Sequence, residues 1–170
     1  MDGGKGIGRE GTGVFRKMAR EKQALPIETC REILRTQLRG VLAVTGDDGY
    51  PYALPINHWY DPADGNLYFH SAPAGHKIDA IRACDKASFC VCDGGEHRGD
   101  WSLYFRSVIV FGRIRIVEDH ERALEISRRL SRKFTQDEAY IENEVARSGA
   151  RVLCFALEPE HITGKLVHES

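Results

Sequence analysis

Two imidazoles, a hydroxyl and an ammonium group crowd around a short turn in the run Leu67-Tyr68-Phe69-His70-Ser71-Ala72-Pro73-Ala74-Gly75-His76-Lys77. The apolar residues before His70 read as a strand, and Gly75 to Ala83 carries a helical pattern. A helix that begins near Gly75 or His76 presents unpaired backbone amides and the positive end of its dipole, which together favour an anion. Ser71 can donate a hydrogen bond from the strand end. Lys77 adds a full positive charge in the first helical turn, where the dipole alone prefers the opposite sign. A cation there is locally unfavourable by about 0.3–1 kcal/mol unless an anion lies within reach. These residue types point to a phosphate-like ligand; the competing reading makes Ser71 a turn residue and leaves Lys77 in solvent.

A second constellation is Leu54-Pro55-Ile56-Asn57-His58. Pro55 has no amide donor, so the ladder of its strand is interrupted by an edge, a bulge or a ligand, and the backbone groups left free suit the edge of a flat heteroaromatic ring. His58 and His70 are the titratable groups nearest this chemistry. His58 is read as a structural histidine satisfied by a backbone carbonyl, whereas His70 fits either that role or the role of a proton donor.

Other patterns carry less. Cys90-x-Cys92 with His97 lacks the second Cys/His pair that a four-ligand metal site needs, so no metal is expected and the cysteines are assigned to the core. Gly6-x-Gly8-x-x-Gly11 matches a dinucleotide-binding spacing, but only Met1-Asp2-Gly3-Gly4-Lys5 precedes it, with no buried strand to hold the turn. Residues 1–13 are read as a disordered glycine-rich tail and 14–170 as a single domain. No G-x-S-x-G elbow supports a hydrolase.

The elements that must position these residues follow from periodicity. Pro26, Ile27, Cys30, Ile33, Leu34 and Leu38 predict an amphipathic helix with Gly40 as its stop. Strands are expected at 41–45, 52–60, 66–71, 86–93, 104–117 and 151–157, with turns at 46–49 and 61–65 and an exposed loop at 94–100. In the fifth strand, Ser107, Ile109, Phe111 and Arg113 fall on one side and Val108, Val110, Gly112 and Ile114 on the other. Ala123, Ile126, Leu130 and Phe134 mark a third helical face and 140–145 a fourth helix. Hairpin-linked strands with helices at the start and after strand five describe a β-barrel with peripheral helices.

Composition sets limits. The chain has 170 residues and a net charge of −1, so no overall field draws it to nucleic acid, and no apolar run of membrane-spanning length occurs. Five cysteines scattered through apolar segments, without an export leader, are read as reduced thiols in the cytoplasm.

The segments "GVLAVTGDDGYPYALPINHWY", "LYFHSAPAGHKIDAIRA", "SVIVFGRIRIVED" and "ITGK" resemble the pyridoxamine 5′-phosphate oxidase-like FMN-binding split barrels, in particular the branch of nitroimidazole-resistance reductases. The resemblance runs from about Arg16 to Lys165. It implies a six-stranded antiparallel, Greek-key-like split barrel and a homodimer with FMN at the subunit interface. It also implies a reductase of nitroaromatic or related small molecules, with NAD(P)H as a candidate electron donor. In that picture Pro55, Ile56 and Asn57 lie along the flavin ring, while His70, Ser71, His76 and Lys77 surround the phosphate. Trp101, Ser102 and Tyr104, or Gly164 and Lys165, come from the neighbouring subunit, and Ser107 faces the cofactor. Relatives often carry Arg where this chain has His76. A flavin- or haem-binding module for storage, sensing or transfer is the alternative, and pyridoxamine phosphate oxidation a weaker one, because the C-terminal arginine-rich signature is missing.

Overall fold

A computed structural model describes residues 15–99 and 101–168. The glycine-rich segment 1–13 lies outside the described residues. The first helix, α1, spans Ile27–Thr36 behind Pro26 and buries Cys30, Ile33 and Leu34. It ends earlier than the periodicity suggests, because Gln37 already adopts an extended conformation. Gly40 is therefore not a helix stop. It sits inside β1 (Arg39–Thr45), where a Cβ would collide with the Phe89 ring and approach the Cys90 carbonyl oxygen to 2.6 Å. The glycine is required by close packing rather than by a cap.

The six expected strands are present as eight. The second is split at His58 into β2 (Pro51–Asn57) and β3 (Trp59–Tyr60). β4 (Leu67–Ser71) leads into α2 (His76–Ala83), and β5 (Lys86–Cys92) follows. The expected loop at 94–100 contains a short strand, β6 (Glu96–His97), paired with the start of β7 (Leu103–Ile116). The helices α3 (His120–Ser131) and α4 (Glu138–Ser148) precede β8, which runs from Leu153 to His168 rather than stopping at Leu157. Phe134 lies beyond the end of α3 and is exposed.

All pairings are antiparallel, in the order β2-β1-β5-β7-β8-β4-β3. The sheet curls until β2 comes beside β4 without pairing to it, which leaves the barrel split there. Pro55 accordingly sits on an edge strand, the first of the three explanations its missing amide allows. Alternation along β7 is as the sequence indicates: Val108, Val110, Gly112 and Ile114 face inward. A bulge opposite Phe111/Gly112 keeps Phe155 and Leu157 of β8 inward as well. In the β1–β2 turn Gly49 takes φ 75° and Asp48 φ 54°, both in the left-handed region.

The interior is built around Phe69, Phe89 and Phe155, with Leu42, Val108, Val110, Ile78 and the buried side of α1 around them. A smaller cluster of Tyr68, Ala123, Ile126 and Cys154 fixes α3 to the outer surface of β4 and β8. Cys30 and Cys154 are core residues as expected, whereas Cys90 and Cys92 point outward. Among the described residues no helix is long and apolar enough to cross a membrane.

At the β2–β3 break, His58 is fully buried, and its Nε2 donates to the Leu34 carbonyl at 2.7 Å, as the structural reading of this histidine requires. Lys133 closes the same junction by donating from Nζ to the carbonyls of Gln37 at 2.6 Å and His58 at 2.9 Å. Burial, reinforced by the Lys133 charge, pushes the His58 imidazole down to about 3. Between pH 3 and the ordinary value of 6.5 the unfolded chain therefore binds the extra proton, and stability falls as pH drops through that window. At about 1.4 kcal/mol per pH unit, wild type should lose about 2–3 kcal/mol more than His58→Gln between pH 7 and pH 4.5. Urea unfolding at the two pH values measures this difference; equal losses would exclude His58 as the responsible group.

Candidate functional site

The corner between β4 and α2 carries the phosphate-type chemistry. Gly75 precedes the helix with φ 123°, a conformation strained for any residue with a Cβ, and supplies no capping side chain. Its carbonyl accepts from the amides of Ile78 and Asp79, so the amides of His76 and Lys77 have no intrahelical acceptor. The Ser71 Oγ at the end of β4 is buried and has no hydrogen-bond partner. An orphaned hydroxyl, unclaimed amides and a lysine in one corner form a cradle that fits an anionic oxygen group.

The two histidines there behave differently. His70 is exposed to solvent, yet desolvation by the chain packed around its ring, and then the nearby Lys77 charge, hold the imidazole below its usual value, which favours the neutral form. His76 is drawn away from the cradle. Its ring stacks on Tyr52 at 4.1 Å between centroids, and its Nε2 lies 3.6 Å from Asp47 Oδ2. What His76 offers an anion at this corner is its backbone amide; its side chain belongs to the β1–β2 turn.

Across the split, β2 presents Pro55 and Asn57 outward, while the Ile56 side chain is buried in the core. Ile56 therefore reaches a ligand only through its backbone. Asn57 is held by Arg39, whose Nε donates to Asn57 Oδ1 at 2.8 Å. The motif reading did not include Arg39, although its place opposite Asn57 follows from the β1–β2 register.

The remaining expected site residues are elsewhere. Ser107 and Lys165 are opposite one another on β7 and β8, and β7 lies three strands from β2 in the sheet. They share the outer face with Pro55, because the row Pro55, Val41, Cys90, Ile109, Thr163 is continuous across five strands. Trp101 is exposed, and Ser102 is buried. Tyr104 has Arg98 over its ring at 4.1 Å and stacks with His168, at the opposite end of β8 from the Ser71 corner. His70, Ser71 and Lys77 adjoin at the β4–α2 corner and β2, with Pro55 and Asn57, runs beside β4, whereas Trp101, Ser102, Tyr104, Ser107 and Lys165 lie on other parts of the structure. Beside Ser107 and Lys165, a cavity of about 500 Å³ opens between Phe15, Met18, Ile109, Phe111 and His161. Alternation puts Phe111 on the same side of its strand as Ser107 and Ile109, but nothing in the sequence joins it to Phe15, which lies far away along the chain.

A sequence profile described as pyridoxamine 5′-phosphate oxidase matches residues 26–166. No curated protein matches the chain. A candidate 5-nitroimidazole antibiotic resistance protein from Bacteroides thetaiotaomicron superposes with a TM-score of 0.70 at 20% identity, over 86% of this chain and 90% of that one. A flavocytochrome from Azotobacter vinelandii gives 0.74 at 20% identity, over 89% and 72%. A FAD-binding protein from Mesorhizobium loti gives 0.61 at 25% identity, over 85% and 97%. These likenesses identify the fold as a split barrel with peripheral helices.

Because an unpaired buried hydroxyl costs about 1–3 kcal/mol, Ser71→Ala should leave the ligand-free chain at least as stable as wild type in urea unfolding. The same substitution should weaken binding of a phosphate ester such as FMN by about tenfold, the equivalent of about 1.4 kcal/mol. A clear loss of stability without loss of binding would show that Ser71 serves the fold and not the anion.

Proposed function

The chain belongs to the pyridoxamine 5′-phosphate oxidase family, and from that membership we propose that it binds FMN and acts as a flavin-dependent reductase of nitroaromatic or related small molecules. The observation that carries the reading is the cradle at the β4–α2 corner, where a buried hydroxyl without a partner ends the strand that leads into the helix bearing Lys77. FMN supplies the electron or hydride transfer when bound. The chain's own part is to hold and orient it. Ser71, the first amides of α2 and Lys77 grip the phosphate, while Pro55, the Ile56 backbone and an Asn57 immobilised by Arg39 line the ring edge. Neutral His70, next to Lys77, donates or accepts one hydrogen bond at this end without adding charge.

Ser107 and Lys165 enter through a second copy of the chain. The outer face that carries them also exposes Val41, Ile109 and Phe111, an apolar surface of the kind association covers. A two-fold dimer across this face sets the β2 edge of one subunit against β7 and β8 of its partner and completes the site twice. A second reading, a flavin- or haem-binding module without catalysis, is favoured by the flavocytochrome among the structural relatives.

Purified protein mixed with FMN should show a flavin spectrum that is bleached by NAD(P)H and restored by a nitroimidazole. A Soret band without flavin would favour the second reading instead. Lys77→Ala should raise the FMN dissociation constant by about 10- to 150-fold, corresponding to about 1.5–3 kcal/mol for a hydrogen bond to a charged group. Light scattering at micromolar concentration should report a dimer; a monomer would leave Ser107 and Lys165 without a place in the site.

A further inference from the structure

The last rung of the β1–β2 ladder sets Arg39 opposite Asn57, and it is fixed from two directions. On one side Arg39 Nε donates to Asn57 Oδ1 at 2.8 Å, which occupies the carboxamide oxygen and leaves Nδ2 as the donor that Asn57 offers. Beyond the rung both strands leave the ladder, since Gln37 is the extended exit of α1 and His58 separates β2 from β3. Lys133 Nζ supplies the donor for both of their carbonyls, at 2.6 and 2.9 Å, and the His58 amide reaches the Leu38 carbonyl at 3.4 Å.

Lys133 comes to this junction from just past the end of α3, 96 residues from Gln37 and 75 from His58 along the chain. Its neighbours Arg128 and Arg132 pair with Glu142 and Glu138 of α4, whereas among the described residues no carboxylate pairs with Lys133. Burial, and then the Arg35 charge, push its ammonium down to about 8, so the group is still mostly protonated at neutral pH. Withdrawing a cation from water without a counter-charge is unfavourable, and carbonyls at a helix exit can bond to water instead. What the ammonium adds to the fold is a fixed spacing between the two strands immediately beyond Arg39 and Asn57.

We propose that Lys133 is a positioning residue: by tying the Gln37 and His58 carbonyls together it holds the Asn57 carboxamide in one orientation, with Nδ2 as a fixed donor. That this donor meets the flavin rests on the reading above. Held against the acceptor edge of the ring, it stabilises the reduced flavin, which carries more electron density there, more than the oxidised one.

The test has two arms. In the ligand-free chain, proton–nitrogen NMR should give sharp, dispersed side-chain amide resonances for Asn57 in wild type and in Lys133→Arg, which keeps the cation and its donors. In Lys133→Met they should collapse towards the positions of an unfolded chain. In the second arm FMN binding is measured in both redox states. Lys133→Met should lower the ratio of the oxidised to the reduced dissociation constant about tenfold, equivalent to about 30 mV in a two-electron midpoint potential, and Lys133→Arg should restore it. In an Asn57→Ala background the same substitution should leave the ratio unchanged, because the coupling runs through Asn57. Should Lys133→Met fail to fold, Lys133→Gln, uncharged and shorter, is expected to give the same changes at smaller size. Wild-type Asn57 resonances in the folded, uncharged variant overturn the proposal, and so does a change in the ratio that persists without Asn57. Disordered Asn57 with an unchanged ratio overturns its part in the flavin chemistry. A wild-type chain that takes up no FMN would remove the flavin reading, and the first arm alone would then uphold or overturn the role of Lys133.

Discussion

Three phenylalanine rings inside the curled sheet tie its distant strands together: Phe69 of β4 packs edge-on to Phe89 of β5 at 5.3 Å and stacks on Phe155 of β8 at 5.1 Å. Each is fully buried, and each such ring contributes a large apolar area together with a directional preference. Phe69 immediately precedes His70 and Ser71, so the packing that closes the barrel also determines where β4 ends and where its terminal hydroxyl points. Phe89 meets the Gly40 position and the His58 ring, which binds the helix exit and the β2–β3 break to the same contact. The site inherits its rigidity from this core.

Around that core the charged groups are arranged by what they lack. Most arginines on the surface have carboxylate partners, as Arg113 does with Asp85 and Glu160 and Arg132 with Glu138. Among the described residues Lys77, at the positive end of α2, has no such partner, and neither have Arg16 and Lys165. Charge without local compensation, next to buried polar atoms without partners, is costly to an isolated domain and consistent with anionic ligands. Lys133 is a half-buried cation of the opposite kind, satisfied by two backbone carbonyls and serving the fold.

The outer face is continuous. Its cross-strand row joins Pro55 on the edge to Thr163 on β8, with Val41, Cys90 and Ile109 between. Ser107 and Lys165 lie on that same side of β7 and β8.

Much of this was legible in the sequence because it rests on local chemistry. Period-two alternation separated the two sides of β7, a glycine before His76-Lys77 marked the start of α2, and a proline within β2 marked an interrupted ladder, whose cause the structure shows to be an edge. The pairing of types at the Ser71–Lys77 corner needs only five intervening residues, so short-range geometry sufficed. What tertiary structure alone decided were contacts between residues far apart along the chain. The Gly40 position is dictated by a ring on β5, the side chain of His76 is held by Tyr52 and Asp47, and β8 continues to His168 because β7 offers it a partner throughout. Phe15 meets His161 and Phe111 only after β7 and β8 have paired and residues 24–25 have come alongside β8. Local preference sets which conformations a segment can adopt, but which distant surface it is pressed against depends on burial of the whole chain, and a one-dimensional pattern carries no direct record of that.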